Sequence, residues 1–133
     1  MTTANRRTFL AAAAIASLGH VTVAESQKLQ TPKLVHHVFF WLKRPDSKED
    51  RDRLLKGLAT LARIESVRGS HFGVPASTEK RDVVDNSFSV SEILFFDDVA
   101  GQKLYQDHPI HRQFVADCGH LWEKVIVYDA IGT

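Results

Sequence analysis

Nine consecutive residues, Leu34-Val35-His36-His37-Val38-Phe39-Phe40-Trp41-Leu42, contain no acidic or basic aliphatic side chain. A continuous apolar and aromatic run of this length reads as a β-strand covered on both faces. Lys43-Arg44-Pro45 closes it. Side chains alternate across a strand, so helices packed on one sheet face leave Val35, Phe39 and Trp41 on the other. Left bare, these residues would form an apolar patch larger than a monomer normally carries. The expectation is a homodimer that buries the helix-free sheet face of both copies. The alternative is a monomer whose twisted sheet is partly covered by its own loop.

The rest of the chain supplies the partners of that strand. Asp46 and Ser47 are candidate helix N-caps, with Glu49 and Asp50 three residues on in capping-box position. Leu54, Leu55, Leu58, Leu61 and Ala62 then recur at helical spacing to about Arg63. Residues 67–74 read as a second strand made irregular by Gly69 and Gly73, and residues 75–86 as a polar loop. Residues 87–96 read as a third strand. Asp97 or Asp98 caps a second helix, which breaks at Pro109 and resumes to about His120, and residues 124–130 form the last strand. The order β-α-β-β-α-β is that of the ferredoxin-like α+β topology.

The chemistry concentrates in Tyr105-Gln106-Asp107-His108-Pro109-Ile110-His111. Pro109 lacks an N–H and its ring clashes with the preceding turn, so a helix through Tyr105 ends near His108 and restarts with proline in its first turn. The break can turn Tyr105 and His111 toward one pocket, whereas an unbroken helix would put them on different faces. An imidazole titrates near working pH, which makes His111 the leading acid–base candidate. Tyr105 could orient it or hydrogen-bond a carbonyl. A helix-start histidine bonded to backbone, and a core tyrosine with its hydroxyl at the rim, are the plainer alternatives.

Phe96-Asp97-Asp98 followed by Tyr105 and His108-Pro109-Ile110-His111 resembles the signature of the stress-responsive A/B barrel (Dabb) family. The run Leu34–Leu42 with Lys43 resembles that family's first strand, and Trp122-Glu123-Lys124-Val125-Ile126-Val127-Tyr128-Asp129 its last. The resemblance implies a four-stranded antiparallel sheet with helices on one face, paired with a second copy into a dimeric α/β barrel. It implies less about activity, since relatives range from proteins with no known reaction to polyketide cyclases. Relative to those cyclases, Tyr105 and His111 match the tyrosine and histidine that perform the chemistry. His36 matches a further pocket histidine. A third-strand histidine of the cyclases falls here at Val90, which weakens transfer of the same substrate.

Two classes of function follow. One is a binding module whose cavity takes a small apolar or aromatic ligand. The other is a cofactor-free cyclase or lyase that uses Tyr105 and His111 as an acid–base pair, with His36 beside them, on a carbonyl or polyketide-like substrate. An enzyme requires Tyr105 and His111 to converge on a cavity that reaches solvent. A purely structural module would fill that space with Phe40, Leu94, Phe114 and Trp122.

Glu92 interrupts Val90, Leu94 and Phe96 on the expected helix-facing side. Buried, it must be paired, for instance with His36 or His111, or protonated; a bulge would instead turn it to solvent. A metal site would have to draw on His36, His108, His111 and Glu92. Proline separates His108 from His111, and neither a His-Glu-x-x-His motif nor a cysteine pair occurs, so no metal and no cofactor is expected. His37 is expected to face the partner subunit, and His71 and His120 the surface or a strand edge.

The N-terminus reads as a targeting segment. Asn5-Arg6-Arg7-Thr8-Phe9-Leu10 resembles a twin-arginine export motif, an alanine-rich run to Leu18 follows, and Thr22-Val23-Ala24 offers a cleavage site. The run falls short of the about 20 apolar residues that span a bilayer, and no cysteine follows it to carry a lipid, so no stable membrane anchor is expected. The expected organisation is a signal peptide over 1–24, a polar tether over 25–32 and the barrel domain over 33–133, with a periplasmic or secreted mature protein. Loss of Arg6 and Arg7 lowers the basic residues from 17 to 15 against 16 acidic ones, a net charge of −1. That leaves no basic surplus for a phosphate backbone, so no nucleic-acid partner is expected. Cys118 is the only cysteine, so no intramolecular disulfide can form.

Overall fold

A computed structural model describes residues 31–133; the expected signal peptide and most of the tether lie outside the described residues. β1 spans Leu34–Leu42, and burial alternates along its whole length. Leu34, His36, Val38, Phe40 and Leu42 are buried beneath the helices, while Val35, His37, Phe39 and Trp41 are half-buried on the other face. The alternation expected of a strand in a sheet with helices on one side is therefore met residue by residue.

α1 spans Lys48–Leu61 and starts where Ser47 Oγ accepts a hydrogen bond from the Asp50 amide at 3.1 Å. Asp50 does not complete the capping box. Its carboxylate accepts two bonds from the Arg44 guanidinium, at 2.8 and 2.6 Å, which also hold its carboxyl below the usual range. That forked pair binds the segment after β1 to the first turn of α1. Leu54, Leu58 and Leu61 of α1 are fully buried against the sheet.

β2 spans Gly69–Gly73 and β3 spans Val90–Phe96, both shorter than expected. Residues 87–89 approach β1 without continuing a strand. Ser89 N donates to Phe40 O at 2.8 Å, Ser89 Oγ accepts from Leu42 N at 3.1 Å, and Ser87 Oγ accepts from Trp41 Nε1 at 3.1 Å. The Ser89 hydroxyl takes the Leu42 amide, a donor that a backbone ladder would otherwise use, and the strand begins three residues late.

α2 spans Val99–Asp107 with Asp98 as its cap, and α3 spans Pro109–Cys118. A single 3₁₀ turn, Gly119–Leu121, leads into β4, Trp122–Ile131. The antiparallel sheet runs in the order β2-β3-β1-β4, with β1 paired to β3 on one side and β4 on the other. The architecture is ferredoxin-like α+β, with the helices on one sheet face. α1 and α3 touch closely at Gly57, where an added Cβ would lie 2.6 Å from the buried Cys118 sulfur. Glycine costs an α-helix about 1 kcal/mol relative to alanine, and here the loss admits α3 at short range. No helix among the described residues is long and apolar enough to cross a membrane.

Candidate functional site

The break between α2 and α3 sets the geometry of the site. A residue before proline is pushed out of the helical region. His108 accordingly has φ −66° and ψ 141°, ending α2 and capping α3 in one residue. Pro109 takes the first helical position, where its missing N–H is harmless. The His108 ring serves as the cap, Nδ1 accepting from the Ile110 amide at 3.1 Å. The reorientation brings Tyr105 of α2 and His111 of α3 together, with ring centroids 4.7 Å apart in an edge-to-face arrangement.

These two residues and His36 of β1 line one cavity of about 160 Å³ between sheet and helices. The His36 ring meets the Tyr105 ring at 5.6 Å. The rest of the lining is mainly apolar: Val38 and Phe40 from β1, Phe114 and Val115 from α3, and Trp122, Val125 and Val127 from β4. Val125 and Val127 are 43% and 46% exposed although they lie opposite the buried Phe40 and Val38, so the cavity lining opens at the β4 edge. That edge is the cavity mouth. Phe40, Phe114 and Trp122 pack on one another as walls, while Leu94 lies in the core cluster outside the lining. The space is not filled in.

Strand register supplies a partner that the sequence did not reveal. Asp129 of β4 stands directly opposite His36, and its Oδ1 lies 2.6 Å from His36 Nδ1. A carboxylate on Nδ1 fixes the ring orientation and leaves Nε2 as its second polar atom. His111 is half-buried, and burial, then the neighbouring His36, push its pKa below the ordinary histidine value, while a hydrogen bond to the Gln106 carbonyl works the other way. The His111 imidazole is therefore neutral at neutral pH and able to accept a proton.

Glu92 is not turned out by a bulge. It pairs in register with Val38, faces the helices and is 1% exposed. Its partner is neither His36 nor His111: the Tyr105 hydroxyl donates to Glu92 Oε1 at 3.3 Å. Burial pushes the Glu92 carboxyl up to about 8, so it is mainly protonated at neutral pH. Burial, with Glu92 close by, raises the Tyr105 phenol well above its ordinary value.

The other histidines lie elsewhere. His108 Nε2 faces Glu65 at 3.3 Å, away from the cavity. His37 is on the helix-free face against Phe39, and His71 and His120 are exposed. Val90, at the position of the missing third-strand histidine, is fully buried. Among the described residues, no three His, Cys, Asp or Glu side chains converge on a point that could hold a metal ion.

No protein with a curated description matches the chain. Among solved structures, a protein of Arabidopsis thaliana superposes with a TM-score of 0.64 at 25% identity, over 75% of this chain and 95% of that one. A Dabb family protein with a ferredoxin-like fold from Mesorhizobium loti gives 0.61 at 25%, over 75% and 96%. The hydroxynitrile lyase of Passiflora edulis gives 0.63 at 22%, over 77% and 95%, a likeness of fold. The model of the Stress responsive A/B Barrel Domain matches residues 34–131, from the first residue of β1 to the last of β4. That match covers the whole sheet and every helix packed on it, and the chain belongs to the stress-responsive A/B barrel domain family.

Proposed function

We propose that the chain is an exported, homodimeric barrel protein whose cavity takes a small, mainly apolar or aromatic ligand. The cavity itself carries the reading. Its polar groups, His36, Glu92, Tyr105 and His111, gather toward one end, and the aromatic walls Phe40, Phe114 and Trp122 toward the other. A dry cavity of about 150 Å³ is enough for one benzene ring, so about 160 Å³ suits a single-ring ligand with one polar substituent. Among the described residues, no lysine or arginine lines it, which disfavours phosphates. Titrating the protein with acetophenone should shift the backbone amides of Val38, Phe114 and Trp122 in ¹H–¹⁵N spectra. Shifts confined to other surfaces would sink the proposal.

One observation favours a second reading, a cofactor-free lyase or cyclase. Tyr105 and the neutral His111 converge on a cavity with a mouth, the arrangement that proton abstraction beside a carbonyl requires. The hydroxynitrile lyase of similar fold shows that such a scaffold can carry lyase chemistry. His111 would be the base, His36 held by Asp129 would orient the substrate, and Tyr105 would act from the closed end.

The dimer rests on the helix-free face. Phe88 packs on Phe39 at 4.9 Å and Ser87 bonds Trp41, so the loop covers one corner. Val35, Ile93, Phe95 and Ile126 remain half-buried and Tyr128 is 62% exposed. Structures of similar fold are described as dimeric, among them a ferredoxin-like protein from Thermobifida fusca. Trp41→Glu should give monomers or aggregates in light scattering; a wild-type monomer at micromolar concentration would contradict the assembly. Export predicts a mature N-terminus near Glu25, which sequencing of protein from its native host would check; an intact Met1 form would refute it.

A further inference from the structure

Among the described residues, Glu92 is the one buried carboxyl on the cavity wall, and neither reading above gives it a task. It is 1% exposed, and its protein partner is the Tyr105 hydroxyl, which occupies Oε1 at 3.3 Å. Oε2 is not among the fully buried side-chain atoms left without a partner; Ser66 Oγ alone is, among the described residues. Since Glu92 lines the cavity, Oε2 borders that space. Among the described residues, the surroundings offer no cation to neutralise a carboxylate. β1 contributes His36, already taken by Asp129 of β4, α2 contributes Tyr105, and α3 contributes the neutral His111. β2 places Phe72 opposite Glu92, and the apolar residues that α1 buries are Leu54, Leu58 and Leu61. A carboxyl in such a place is stable as the acid, and an acid has one proton to donate.

We propose that Glu92 is a ligand-binding residue of the cavity: its neutral carboxyl donates a hydrogen bond from Oε2 to the carbonyl oxygen of an uncharged ligand, while Tyr105 holds Oε1 in place. The inference rests on the cavity being a ligand site and names what that site selects. The ligand class is an uncharged aromatic or apolar carbonyl compound. Tyr105 then acts as a positioning residue, since its own proton is committed to Glu92. Ionised Glu92 would present negative oxygen to the carbonyl oxygen and repel it. Affinity should therefore fall as pH rises through the Glu92 transition, a range in which His111 stays neutral and Tyr105 stays protonated.

The test is an acetophenone titration, followed by ¹H–¹⁵N spectra at pH 6.5 and pH 9.5, since this probe carries no charge at either pH. The wild type should bind about tenfold more weakly at the higher pH, the loss of about one hydrogen bond. Glu92→Gln keeps a neutral donor, so its affinity should be the same at both values. Glu92→Leu should bind weakly at both. A carboxylic-acid infrared band at pH 7 that Glu92→Gln removes is the expected spectroscopic signature. Cavity shifts with no pH dependence in the wild type, or full affinity in Glu92→Leu, overturn the role of Glu92 and leave the cavity reading intact. The absence of cavity shifts from the wild type at both pH values overturns both.

Discussion

The wild-type protein is expected to lose stability steadily as pH rises from about 4.5 to about 8, and Glu92→Gln is expected not to. In the unfolded chain Glu92 titrates at its ordinary value, 4.5, and burial pushes it up to about 8 in the fold. Below the lower value both states hold the proton and the contribution of Glu92 to stability is fully present. Between the two values the unfolded chain gives up its proton while the folded protein keeps it, which favours unfolding. Above about 8 the folded state ionises too and the loss stops. Each pH unit is worth about 1.4 kcal/mol, so the full span approaches about 5 kcal/mol before any structural relaxation. That is a large share of the about 5–15 kcal/mol that holds a domain of this size together. Urea unfolding of both proteins at pH 5, 6.5 and 8 measures it. Parallel stability profiles would show that Glu92 is already ionised, or paired, in the fold.

His111→Ala is expected to lower proton abstraction by about 10²–10⁴, the usual cost of removing a general base. Exchange of the acetophenone methyl protons for deuterium in D₂O reports that step without knowledge of the natural substrate. The wild type should exceed buffer, and the excess should fall with His111→Ala. It should rise with pH as residual imidazolium near the lowered His111 transition disappears. Tyr105→Phe should cost less, because that hydroxyl donates to Glu92 and reaches the ligand through it. If the wild type does not exceed buffer while acetophenone binds, the binding reading stands and the lyase reading falls.

Much of this was legible in the chain. The alternation in Leu34–Leu42 predicts the two faces of β1, and Pro109 predicts the break that joins Tyr105 to His111. These are local rules, a period of two and a ring without an N–H, and they need no knowledge of the fold. The His36–Asp129 pair was not legible. Ninety-three positions separate the two residues, and only the register of β1 against β4 sets them opposite. An aspartate in a terminal strand carries no mark that it faces a histidine. The fate of Glu92 was open for the same reason: its side of the sheet could be guessed, but its partner depends on how α2 lies. Asp50 shows the reverse case. Its spacing from Ser47 suggests a reciprocal cap, yet Arg44 supplies a stronger, forked partner and captures the carboxylate.

The alternation of β1 has a consequence for how this chain can tolerate changes in length. Deleting or inserting one residue just after His37, with the turn into α1 held fast by Arg44 and Asp50, exchanges the two faces of the first half of the strand. His37 would move under the helices and His36 would leave Asp129, so a single codon would dismantle the cavity and the opposite surface together. Length change is far cheaper in residues 74–89, which hold β1 by hydroxyl and aromatic contacts with no continuous ladder. An engineer seeking to lengthen this protein has tolerance there, and next to none within the nine residues of β1.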